Sequence, residues 1–268
     1  VTAPIRRELG DDGVARLTLN RPLRLNAFDG ALAEAFADAA VEATSRDDVR
    51  AILIDGAGPA FCAGGDVVAM ATSTSSGVEL TRLARTINRG LLALLEAPIP
   101  VVAAAHGTTA GGGLGLLLAS DYAVVGADSR IGARYANVGL TPDLSVTALL
   151  TGAVGERRAL QLLLSDTMLT ACQALDWGLV AEVVGDESMA PAEIADAVRA
   201  RGDEIASGWA AGPRFALGQA KRLIRSRLGR SLADQLDEEA RTIGAAFDTA
   251  DAQARIRAFA ARSAMRNG

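Results

Sequence analysis

The sequence predicts an α/β protein, and three observations carry that prediction. Short apolar runs of strand character alternate with helix-patterned segments up to about residue 185. From Met189 onward the pattern is helical throughout. Between strand-like runs and helix starts lie glycine clusters, the densest at Gly111-Gly112-Gly113. Alternation of this kind builds a sheet flanked by helices. We therefore expect a core over residues 1–188 and a helical region over 189–268, the latter too thin to stand as a separate domain and suited to packing on a neighbouring subunit or on its own core.

The elements follow in order. Val14 to Leu19 (VARLTL) alternates as a strand does, and Asn20-Arg21-Pro22 stops it. A helix over 30–44 shows an apolar stripe of Leu32, Phe36, Ala39 and Ala40, with Asn26 or Asp29 available as its cap. Val49 to Ile54 reads as a strand closed by the turn residues DGAGP. FCAGGDVVAM follows, small and glycine-rich, with Asp66 where a helix could start. Residues 72–77 (TSTSSG) read as a mobile loop, and a helix over 78–95 ends before Pro98 and Pro100. Strands are expected at 101–105, 122–125, 130–133 and 179–184, and helices at about 144–152, 156–164 and 171–177.

Composition sets the outer limits. The chain has 268 residues, half of them hydrophobic, with 22% charged residues and a net charge of −5. Its mean hydropathy is +0.22. That is a globular balance, and the net negative charge argues against nucleic acid as the partner. No apolar run reaches the roughly 20 residues that span a bilayer, and VTAPIRRELGDDG carries no apolar signal core, so no membrane association and a cytoplasmic location are expected. Cys62 and Cys172 form no metal or redox motif, and no metal is expected.

The stretch PVVAAAHGTTAGGGLGLLLASD (100–121) concentrates the chemistry. A buried strand feeds through glycines into the N-terminus of a buried helix. The first N–H groups of a helix lack partners within it and sit at the positive end of its dipole. Such an end suits an anion or a developing oxyanion; tight helix–strand packing is the alternative use of the same glycines. The spacing is not GxGxxG, which argues against a dinucleotide fold.

LTLNRPLRLNAF (17–28), FCAGGDV (61–67), the 100–125 stretch, IGARYANVGLTPD (131–143), GERRALQLLL (155–164) and ALDWGLVAEVV (174–184), in this order and spacing, resemble the crotonase, or enoyl-CoA hydratase/isomerase, superfamily. The resemblance implies a spiral of ββα repeats with a C-terminal helical trimerisation region, a homotrimer or dimer of trimers, and an acyl-CoA thioester as ligand, with no cofactor beyond the coenzyme A of the substrate itself. It implies that the amides of Ala63 and Gly112 form an oxyanion hole. It places Arg24 near the CoA phosphates, the adenine near the backbone of Ala63, Gly64, Gly65 and Asp66, and Lys221 as a C-terminal lysine reaching CoA. Lys221 belongs to a basic stretch, 214–230, that also reads as a solvated face.

The chain departs from the hydratases it resembles. Where they carry two glutamates, it has Gly115 and Tyr135. Asp143, in GLTPD, stands where isomerases of the superfamily carry a single acid. It could shuttle a proton between C2 and C4, with apolar neighbours raising its pKa, or it could merely cap a helix beginning at Leu144. Tyr135 reads either as a pocket residue that could hydrogen-bond a carboxylate or substrate, or as a partly buried aromatic. His106 and Asp121 read as structural, and Cys62 has no evident base to activate it. An isomerase with Asp143 as shuttle is the favoured expectation. A hydratase with unorthodox water activation and a non-catalytic acyl-CoA binder remain as alternatives. A dehalogenase lacks its histidine.

Overall fold

The computed structural model describes residues 3–73, 76–186 and 188–266. In chain order the elements are β1 (Ile5–Leu9), β2 (Val14–Leu19), α1 (Gly30–Ser45), β3 (Ala51–Gly56), α2 (Val67–Ser73), α3 (Gly77–Glu96), β4 (Val101–Ala105), β5 (Thr108–Ala110), α4 (Gly112–Ala119), β6 (Tyr122–Gly126), β7 (Arg130–Gly132), α5 (Val146–Val154), α6 (Glu156–Leu163), β8 (Met168–Thr170), α7 (Ala171–Asp176), β9 (Glu182–Val184), α8 (Pro191–Ala210), α9 (Arg214–Arg225), α10 (Leu232–Phe247) and α11 (Ala250–Arg266). Short 3-10 turns occupy Pro22–Arg24 and Ala136–Val138.

Six strands form the main sheet in the order β1-β2-β3-β4-β6-β9, parallel except for the antiparallel β1–β2 edge pair. Every residue of β3 and β4 is buried. Central parallel strands are covered on both faces, so they read as continuous apolar runs. The period-2 alternation then divides them. Leu53, Val102, Ala104 and Val124 face α8, whereas Ile52, Ile54, Val101 and Ala103 join the larger core with α1, α3 and α4. Gly202 lets α8 lie close on the sheet: a Cβ there would stand 2.8 Å from Ala104 Cβ.

The second sheet, β5-β7-β8, is made of three-residue strands. It props the stretch 108–110 against 130–132. The segment expected as a mobile loop at 72–77 divides differently. Thr72 and Ser73 complete α2, and Ser76 caps α3 by accepting from the Glu79 amide; Thr74 and Ser75 lie outside the described residues. Of the two candidate caps for α1, Asp29 does the work, accepting from Leu32 N at 2.8 Å. Asn26 is instead buried and pins its own loop to the carbonyls of Ala57 and Ala60. Among the described residues, no helix is long and apolar enough to cross a membrane.

Candidate active site

Two glycine-rich loops meet beneath a cavity of about 380 Å³. The first follows the turn after β3. It is tied down by Cys62 N to Thr108 O (3.2 Å), Ala110 N to Cys62 O (3.0 Å) and Phe28 N to Gly64 O (2.7 Å). Gly64 turns the chain at φ +106°, a backbone state that side chains other than glycine's rarely adopt. A Cβ on Gly64 would stand 2.9 Å from Ala110 O and 3.4 Å from Gly112 N. The second loop ends in the first turn of α4, where a Cβ on Gly113 would stand 2.1 Å from Cys62 O. Of the two uses foreseen for these glycines, close packing is thus realised in both loops.

The amide assignments change in one place. Ala63 N donates to Leu25 O at 2.9 Å, so the expected oxyanion donor is already engaged. Leu25 sits in the left-handed region (φ 49°), which presents its carbonyl to that amide. The amides of Gly65 and Gly112 have no protein acceptor among the described residues, and both residues line the cavity. Gly112 thus keeps an unengaged amide at the cavity wall, and in the facing loop the unengaged amide is that of Gly65. The composition of FCAGG alone does not show which of its N–H groups faces inward.

Asp143 is the only carboxylate lining the cavity among the described residues. It does not cap the helix that follows. α5 begins at Val146, after Leu144 (φ 50°) and Ser145 (φ 68°) in left-handed conformations. Its side chain instead accepts from the Tyr135 hydroxyl at 2.8 Å through Oδ1. Desolvation by the cavity wall raises the Asp143 carboxyl above the ordinary carboxylate range, and the Tyr135 hydrogen bond opposes this. Tyr135 is buried, and its pKa is raised by that burial and by the Asp143 charge, so it remains a donor. The rest of the wall is largely apolar, with Phe28, Met70, Leu83, Ile87 and Leu144 prominent.

The position of the first hydratase glutamate, Gly115, is filled by backbone. A Cβ there would stand 2.1 Å from Leu144 O. The chain that carries Asp143 thus packs directly on α4 in the space a side chain at 115 would need.

Other candidates are placed elsewhere. Lys221 is buried, donates to Leu94 O (2.6 Å) and Ile99 O (2.7 Å), and pairs with Asp121 at 2.9 Å. That ties α9 to the end of α3 and the start of β4, and it corrects the expectation of a CoA ligand. In the same basic stretch, Arg225 pairs with Asp121 and Arg222 with Glu238. Asp66 is also structural: Oδ1 caps α2 through Ala69 N and Oδ2 pairs with Arg21. Arg21, not singled out from sequence, organises this corner. It pairs with Asp29 as well and donates to the Ala27 carbonyl. Arg24 lies exposed on the 22–24 turn, outside the cavity lining. His106 is buried against Gly58 O at 2.7 Å. Burial pushes the Cys62 thiol up to about 12, which leaves it inert as a nucleophile.

A family profile described as Enoyl-CoA hydratase/isomerase matches residues 10–266. The chain belongs to the enoyl-CoA hydratase/isomerase family. It is 33% identical over 257 residues to 1,2-epoxyphenylacetyl-CoA isomerase of Escherichia coli (strain K12), covering 94% of each chain. It is 36% identical over 181 residues to trans-2-decenoyl-[acyl-carrier-protein] isomerase of Streptococcus mutans serotype c (strain ATCC 700610 / UA159), covering 67% of this chain and 69% of that one. Among solved structures, an enoyl-CoA hydratase of Mycobacterium smegmatis superposes with a TM-score of 0.85 at 28% identity, covering 97% of this chain and 96% of that one. Relatives in this enoyl-CoA hydratase/isomerase family thus carry both isomerase and hydratase names.

Proposed function

We propose that this family member is an isomerase that shifts a carbon–carbon double bond in an enoyl thioester carried on coenzyme A, with Asp143 as its single proton shuttle. One observation carries the reading: among the described residues the cavity holds one carboxylate, and Leu144 O occupies the space a glutamate at 115 would need. Activating water with a glutamate pair requires two carboxylates. Moving a proton from C2 to C4 requires one.

In this reading the thioester oxygen lies between the amides of Gly65 and Gly112. Asp143 takes the C2 proton: the C2–H bond breaks, an O–H bond forms on the carboxyl, and the electron pair moves onto the thioester oxygen as a dienolate. The two amides bear that charge. Each such donor contributes about 2.7–4 kcal/mol to the transition state. The carboxyl then returns the proton to C4, the double bond comes to rest between C2 and C3, and Asp143 is again ionised. The raised pKa makes it a better base. The apolar wall suits an aliphatic or aromatic acyl group, and the relatives named as isomerases support the choice.

The test is turnover of paired 3-enoyl- and 2-enoyl-CoA of one chain length, for wild type and Asp143→Asn. Isomerisation by wild type, poor hydration, and loss of isomerisation in the variant are expected. Dominant hydration that survives in Asp143→Asn would sink the reading.

A further inference from the structure

The carboxylate of Asp143 has two oxygens, and among the described residues only Oδ1 accepts a hydrogen bond from another side chain. Tyr135 Oη donates to Oδ1 at 2.8 Å and lies 3.4 Å from the Asp143 carbonyl. The two residues are eight positions apart, joined by the 3-10 turn Ala136–Val138, a left-handed Gly139 (φ 70°) and the exposed stretch 139–141. The phenol is buried while the stretch that carries the carboxylate is exposed, so the hydroxyl is the fixed partner in the pair. We propose that Tyr135 is a positioning residue: by holding Oδ1 it stops rotation of the Asp143 carboxylate and leaves Oδ2 alone to take the proton at C2 and return it at C4.

The surroundings keep the pair isolated. α4 carries no titratable side chain, and the cavity-facing residues of α2 and α3 (Val67, Met70, Leu80, Thr81, Leu83 and Ile87) carry none. Arg134 lines the cavity but pairs with Asp166. Beyond Asp143, the titratable group that acts on Tyr135 is the buried Cys62 thiol. Tyr135 therefore stays protonated well above the pH at which Asp143 ionises, and the hydrogen bond persists at neutral pH. A hydrogen bond to a charged acceptor favours the charged form. Removing it makes Asp143 harder to ionise, so the acid limb of activity must move to higher pH.

The kinetic part rests on the isomerase reading, and the spectroscopic part does not. Tyr135→Phe keeps the ring and removes only the hydroxyl. With 3-enoyl-CoA as substrate, kcat should fall about tenfold, KM should hold, and the acid limb of kcat/KM should shift upward. A purely packing role would alter thermal stability and leave the limb in place, which overturns the proposal. So would an unchanged kcat, or a complete loss of turnover in a folded variant, since the latter makes the phenol itself the acid. If Asp143→Asn still isomerises, the isomerase reading fails. The pairing is still tested by carbon NMR of the labelled Asp143 carboxyl, whose titration should move to higher pH in Tyr135→Phe. Should that variant not fold, wild type labelled at tyrosine Cζ suffices. The chain has 2 tyrosines, so the Tyr135 resonance is assignable. It should step with the Asp143 titration and lose that step in Asp143→Asn; a featureless titration overturns the pairing.

Discussion

Gly115→Ala is a one-carbon change whose consequence can be worked out. The new Cβ would stand 2.1 Å from Leu144 O and 3.1 Å from Leu144 Cβ. Ordinary contact begins at 3.4 Å, so the carbonyl must retreat by about 1.3 Å, the difference between 3.4 and 2.1 Å. Neither side yields easily, because α4 is wholly buried and Leu144 already sits at φ 50°. Overpacking of this sort costs about 1–3 kcal/mol. At about 2–4 °C per kcal/mol for a domain of roughly this size, Tm should drop by about 2–12 °C. The displaced carbonyl is next to Asp143, and a misplacement on the order of 1 Å lowers turnover about a hundredfold. Differential scanning fluorimetry and kcat/KM on 3-enoyl-CoA read both effects. Gly152→Ala is the control, since a Cβ there meets nothing within 4 Å and the residue is exposed on α5. It should keep activity and gain slightly in stability. If Gly115→Ala matches that control, or if Gly115→Glu folds unimpaired and hydrates 2-enoyl-CoA, the reasoning about occupied space is wrong.

Asp143 also weighs on the fold. Its pKa is raised in the folded state, chiefly by desolvation, so the protein loses stability as pH rises through that value. Asp143→Asn should therefore have a higher Tm at neutral pH, with the gain fading in acid, as a pH series of melts will show. Lys221→Ala removes the cation from a buried pair, at a cost of about 3–5 kcal/mol, yet should leave the Kd for a CoA thioester unchanged in calorimetry; a weaker Kd would restore the ligand role. Native protein should lose one thiol to a maleimide, Cys172, while buried Cys62 reacts only after unfolding, as intact mass will report. Leu236, Ile243 and Phe247 on α10 and Ile256 and Phe259 on α11 are exposed apolar residues. We expect them to be covered by further copies of the chain in a trimer, and Ile243→Glu with Phe247→Glu should yield a smaller species by light scattering.

The sheet was legible where burial is two-sided. β4 is an uninterrupted apolar run, and so is β3 as far as Ile54, because both faces are covered. β1 was not foreseen, because four of its five residues are exposed and a charged edge strand looks like a tail. β5 and β8 are three residues long and owe their form to neighbours distant in sequence. At the site, the family resemblance pointed to Asp143 and Gly112, and both line the cavity. Ala63 misled because the direction of an amide depends on the reversal at Gly64 (φ +106°), which composition does not encode. The Tyr135–Asp143 pair needed a 3-10 turn and a left-handed glycine to bring the two side chains together. Lys221 misled because burial, not residue type, decides whether a lysine meets solvent or a carboxylate.

Among the described residues, five other than glycine hold a positive φ: Leu25, Asn26, Arg134, Leu144 and Ser145. All five lie on the three segments that lead into the cavity. Each left-handed residue of this kind costs roughly 1–2 kcal/mol. A selection for heat resistance alone, blind to chemistry, would therefore be drawn to such positions where little burial is lost, and would favour glycine at Ser145, whose side chain is only partly buried, over the core residue Leu144. Its survivors would be sturdier and slower, because the freed backbone no longer aims the carboxylate. The positions enriched by such a selection would outline the catalytic pocket without a substrate ever being added.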